Sequence, residues 1–81
     1  MASVSEIIDL LSEISEDASA TKNLKTKISG IISILKADGD LSLKKNKVSN
    51  ELDELAANSD IDSYTRTQLL GVVGALETVE E

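Results

Sequence analysis

Carboxylates at helical spacing are the first residues in this chain that could do chemistry. Glu13 with Asp17, and Glu51 with Glu54, each share one side of a helix, as acid–base work or cation binding would require. They lack the partners that such work needs. The chain holds no histidine and no cysteine, which leaves lysines, hydroxyls and one tyrosine as the remaining candidate nucleophiles and proton carriers. Asp38, Asp40 and Ser42 begin a calcium-loop pattern, but such a loop requires glycine at its sixth position and glutamate at its twelfth, and it meets Leu43 and Ser49. Tyr64, the sole aromatic residue, stands near an expected helix start and reads as a loop cover rather than a proton donor. The carboxylate pairs read as solvated faces. No catalytic residue, cofactor or metal site is expected, and the chain is not read as an enzyme.

Lysine is the other chemical resource. The net charge of −7 hides three blocks: five acids and no base up to Thr21, seven bases and two acids from Lys22 to Lys47, then one base and eight acids. Gathered on one surface, Lys22, Lys25, Lys27, Lys44, Lys45 and Lys47 would form a basic patch for phosphates or an acidic partner. Alternatively they neutralise the acids of neighbouring helices, each exposed pair contributing only about 0–1 kcal/mol. A single arginine and acidic flanks disfavour nucleic acid, and one aromatic residue gives no surface for stacking bases. An acidic protein partner fits the patch better.

Four helices must position these residues. Val4, Ile7, Ile8, Leu11 and Ile14 make one apolar face at helical spacing, behind Ser3 and Glu6 in a capping-box arrangement, so a first helix is expected over about Ser3 to Asp17. After a polar stretch to Thr21, the face Leu24, Ile28, Ile31, Ile32 and Leu35 marks a second helix that stops at Gly39. Asp38-Gly39-Asp40 joins the halves. Val48, Leu52, Leu55 and Ala56 mark a third helix, Asn58 to Asp62 a loop, and Leu69, Val72, Val73 and Leu76 a fourth that frays through the acidic tail. The chain of 81 residues is one helical domain, with hairpins over residues 3–38 and 41–79. The lack of a long apolar run or a basic, apolar N-terminus points to a soluble, unprocessed, cytoplasmic protein with no membrane contact.

The second half rereads the first at an offset of 41 residues. Leu11/Leu52, Glu13/Glu54, Thr26/Thr67, Gly30/Gly71 and Leu35/Leu76 are identical, and Ile7/Val48, Ile14/Leu55, Lys25/Arg66, Ile28/Leu69 and Ile31/Val72 keep their physical role. A two-helix unit of about 40 to 47 residues is the period of HEAT and armadillo repeats. The expected fold is all-α: two tandem HEAT-like hairpins forming a compact bundle or a short solenoid. Gly30 and Gly71 each cost on the order of 1 kcal/mol inside a helix relative to alanine. Close helix approach is the expected compensation; the sharper alternative is a groove floor for a partner segment, with Gly74 extending a small-residue strip.

Leu10-Leu11-Ser12-Glu13-Ile14 with Asp17, Lys22-Asn23-Leu24-Lys25, Leu52-Asp53-Glu54-Leu55 with Asn58, Thr65-Arg66-Thr67 and Leu76-Glu77 resemble the archaeal uncharacterised protein family number 0147 over nearly the whole chain. The resemblance implies a small, all-helical, archaeal cytoplasmic protein and no particular chemistry. Thr21 and Asp62 stand where that family usually carries proline. Asp17, Asn58, Lys25 and Arg66 also look like a HEAT-type ladder, with the first two accepting bonds from the last two between neighbouring loops.

Leu10, Ile34, Leu43 and Leu70 fall at or beyond the margins of the apolar stripes and form the candidate contact patch. A non-catalytic protein–protein interaction or structural module is therefore expected, binding itself or another protein through the second and fourth helices. The alternative is a nucleic-acid or ribonucleoprotein accessory using the lysine-rich middle.

Overall fold

Every helix starts on a side-chain oxygen, because its first N–H groups have no partner within the helix. In the computed structural model, which describes residues 3–18, 20–58 and 61–79, Ser3 Oγ accepts the Glu6 N–H at 3.2 Å and opens α1 (Val4–Glu16). Thr21 Oγ1 accepts from Leu24 at 3.1 Å and opens α2 (Lys22–Lys36). Asp40 and Asp62 do the same at 2.8 Å for α3 (Leu41–Ala56) and α4 (Ser63–Glu77). Thr21 and Asp62, which replace the expected loop prolines, thus serve as caps. Between α2 and α3, Gly39 has a φ of +142°, a conformation that only glycine adopts without strain.

The four helices close into a ring. α1 packs on α2, α2 on α3, α3 on α4 and α4 back on α1, with no close backbone approach across either diagonal among the described residues. Short loops make each neighbour antiparallel, giving an up-down-up-down bundle of 33 × 20 × 19 Å. Successive units of a solenoid would instead place α1 on α3 and α2 on α4. Of the two expected architectures, the bundle is the one that forms.

The offset of 41 residues becomes an approximate twofold axis along the bundle. It maps α2 onto α4 end to end. Ile7/Val48, Leu11/Leu52, Ile14/Leu55, Ile28/Leu69, Ile31/Val72 and Leu35/Leu76 are all buried pair by pair, and together they form the core. Even Leu24 has a buried counterpart, Thr65, whose hydroxyl bonds to the Asp62 carboxylate. Equivalent hydroxyls, Thr26 and Thr67, donate to the carbonyls of Lys22 and Ser63 one turn back.

Two expectations fail. Gly30 and Gly71 do not mediate close helix approach, since a Cβ built on either meets nothing within 4 Å and both are exposed. Nor does the chain fray directly after α4. Val79 folds back and is buried, and its carbonyl accepts from Lys45 Nζ at 2.9 Å. Glu80 and Glu81 of the acidic tail, Ser19 and Ser59-Asp60 of the hairpin loops, and Met1 and Ala2 lie outside the described residues.

Candidate functional site

The basic residues expected to form a patch are divided between the two ends of the bundle. Lys22, Lys25 and Lys27 stand exposed on the first turns of α2, whereas Lys44, Lys45 and Lys47 lie on the first turns of α3, at the opposite end. Two of them are already engaged. Lys44 Nζ donates to the carbonyls of Ala37 (2.8 Å) and Leu35 (3.3 Å), closing the end of α2, while Lys45 Nζ reaches Val79 and Glu77 (3.4 Å) at the end of α4. A cation at a helix C-terminus meets the negative end of its dipole, which explains both positions. The six lysines therefore do not make one surface.

Arg66 is likewise consumed locally. Its Nε donates to the Ala56 carbonyl at 2.7 Å, and Nη2 donates to those of Ile61 (3.1 Å) and Asn58 (3.3 Å). It staples the α3–α4 loop to its own helix instead of bridging to a neighbouring repeat, as a HEAT-type ladder would require. The two hairpin loops nonetheless approach, since Thr21 and Asn23 line one concavity with Asn58 and Ile61.

The four leucine and isoleucine candidates do not share one helix pair: Ile34 and Leu43 stand on the adjoining ends of α2 and α3, Leu10 on α1 and Leu70 on α4. Ile34 is half-buried against the core. Leu43 is 68% exposed on the first turn of α3. Leu70, 51% exposed, lies one turn beyond Arg66 on the side of α4 that faces α3, about 100° around the helix from Gly71. Leu10, 38% exposed, sits in a concavity.

That concavity is a groove of about 290 Å³ between α1 and α4, lined by Leu10, Glu13, Ile14, Gln68, Gly71 and Val72. Ile14 and Val72 form its floor from the core. Gly71 keeps it open, since no side chain rises from α4 at that point. Gln68 Nε2 donates to the exposed Tyr64 hydroxyl at a long 3.4 Å, so Tyr64 holds a neighbouring amide rather than covering a loop. The other end of that amide, Gln68 Oε1, is the one buried side-chain polar atom without a partner among the described residues. A buried acceptor left unpaired costs on the order of 1–3 kcal/mol.

The approximate symmetry supplies a control for this groove. Subtracting or adding 41 carries Gln68 to Lys27, Gly71 to Gly30, Leu10 to Glu51 and Glu13 to Glu54, all facing the α2/α3 side. One copy thus carries Lys27, Glu51 and Glu54, a charged rim of both signs. The other has Leu10 and Gln68, with acids as its only charges. The same fold position tolerates Glu51, so burial in the bundle does not demand leucine at position 10.

Two other concavities are more polar or smaller. One between α1 and α2 is lined by Ser12, Ser15, Ser29 and Ser33 with Ile32, Glu16 and Lys36. The other, near the hairpin loops, encloses about 160 Å³ around Leu24, Leu55 and Ile61.

Among the described residues no group of three or more metal-ligating side chains comes together, and no helix is long and apolar enough to cross a membrane. Sequence reasoning named Leu10 and Gly71 without joining them, and it missed Gln68. The signal was available in the places where the two halves differ, Leu10 against Glu51 and Gln68 against Lys27. No match to the chain was found among curated proteins or among solved structures. The profile of one family matches residues 1–79, nearly the full length of this four-helix chain, and the protein accordingly belongs to the Uncharacterised protein family UPF0147.

Proposed function

We propose that this protein is a small, non-catalytic interaction module that docks a partner in the α1/α4 groove. One observation carries the reading: the groove carries Leu10 and Gln68 where their 41-residue counterparts on the α2/α3 side are the charged Glu51 and Lys27, although the two sides share one core. A difference that folding does not require points to a role outside folding. The resemblance to archaeal cytoplasmic proteins gives the setting of this reading, and self-association is one form that docking could take. The nucleic-acid alternative loses ground, because Lys44 and Lys45 close helix ends while Lys22 and Lys25 start α2 at the opposite end of the bundle.

Affinity capture from cells of the source organism, with the wild type and Gly71→Leu compared side by side, tests the reading. A Cβ at this position meets nothing within 4 Å, so a larger side chain is accommodated at the groove wall and should obstruct it. Proteins retained by the wild type and lost with Gly71→Leu are the expected result. An identical set from both proteins rejects the groove as the docking surface.

A further inference from the structure

Charge along the groove says what kind of segment fits it. On α1, Glu6 and Glu13 stand one turn either side of Leu10 on the edge that faces α4, and both are exposed. Across the groove α4 contributes no free cation, since its only base, Arg66, is bound to three loop carbonyls. The counterpart of Glu6 is Lys47 and that of Gln68 is Lys27, so the α2/α3 side carries charges of both signs while the α1/α4 groove carries acids alone. An apolar strip between acids is the complement of an amphipathic basic helix, and a groove between two antiparallel helices takes a helix more readily than a strand.

We propose, building on the groove reading above, that the α1/α4 groove docks a basic amphipathic helix of another protein. Its apolar side chains lie over Leu10 and Gly71, and its lysines or arginines face Glu6 and Glu13. A second copy of this chain does not meet the requirement. Of its lysine-bearing helices, α2 exposes no large apolar residue, and α3 exposes only Leu43 among the described residues, with Lys44 and Lys45 already bound to helix-end carbonyls. Two copies, each with a net charge of −7, also repel.

Two synthetic helical peptides, each about 16 residues to match α4 at about 1.5 Å per residue, test this. They share a leucine face and differ in carrying lysine or glutamate beside it, and each is titrated into the isotope-labelled full chain. The lysine peptide is expected to shift amide signals around Leu10 and Gly71 and to bind at least about tenfold tighter than the glutamate peptide, more weakly as salt rises. Reversing Glu6→Lys and Glu13→Lys should cost about tenfold with helicity retained. Gly71→Leu should abolish binding, and Gly74→Ala, on the outer face of α4, should leave it unchanged. Equal binding of both peptides in the groove overturns the basic partner but leaves the docking groove standing. A concentration-dependent dimer with the same shifted amides makes the occupant a second copy and overturns the proposal. Shifts confined to α2 and α3, or none with either peptide, overturn it as well.

Discussion

Arg66 shows how one side chain can settle a loop. Its planar fork reaches three carbonyls at the end of α3 and in the following loop, of which that of Asn58 also accepts the Ile61 N–H. A lysine has one nitrogen at its tip and cannot reproduce that geometry. Arg66→Lys should therefore lower unfolding stability by about 2 kcal/mol, read from the urea midpoint, whereas the exposed Lys25→Ala at the equivalent position should change it little. Asp62 gives a pH signature at the neighbouring residue. The Thr65 N–H and hydroxyl that bond its carboxylate hold its pKa below the usual value, outweighing the nearby Asp17 charge that raises it. A depressed carboxylate pKa stabilises the fold above the unfolded value near 3.9 and loses that contribution as pH falls through the folded one. Asp62→Asn keeps a capping oxygen without the charge. Urea midpoints between neutral pH and acid should consequently fall less for Asp62→Asn than for the wild type.

At the scale of the helices, the bundle exchanges charge between element ends. Lys45, from the first turn of α3, closes α4 and holds the buried Val79 in place. With Lys45→Gln the last turn of α4 should open more readily, by about 1 kcal/mol, and the amides from Leu76 to Val79 should exchange faster with deuterium while those of α1 stay unchanged. The helix glycines tell a different story from the one their positions suggest. Since nothing lies near Gly30, Gly30→Ala should add helix propensity without a clash and raise stability by up to about 1 kcal/mol in thermal unfolding. These elements were largely legible in the sequence. The core faces were readable because burial in an amphipathic helix repeats every three to four residues, and Ser3 and Gly39 marked ends by their own backbone chemistry. Lys44 and Lys45 were not legible as caps, because the carbonyls they close belong to other helices and only the ring brings them near.

For the whole molecule, a duplicated core with an unduplicated surface is the organising fact. Repetition at 41 residues announced two hairpins, but a linear repeat does not reveal whether the copies stack by translation or close by rotation; the contact of α1 with α4 settles it as rotation. That closure is what brings Leu10 and Gly71, 61 positions apart in the chain, to one groove. It also leaves Ile34 and Leu43 at the α2–α3 turn, on a helix pair other than the one that forms the groove. Leu10→Gln, which gives position 10 a polar side chain as its counterpart Glu51 has, separates folding from docking most directly. Unfolding stability and partner retention should be measured on this variant and on the wild type together. The expected result is stability within about 0.5 kcal/mol of the wild type and loss of the retained partner. A fall of about 2 kcal/mol or more would show Leu10 to be a core residue, and unchanged retention would show that the partner does not use the groove.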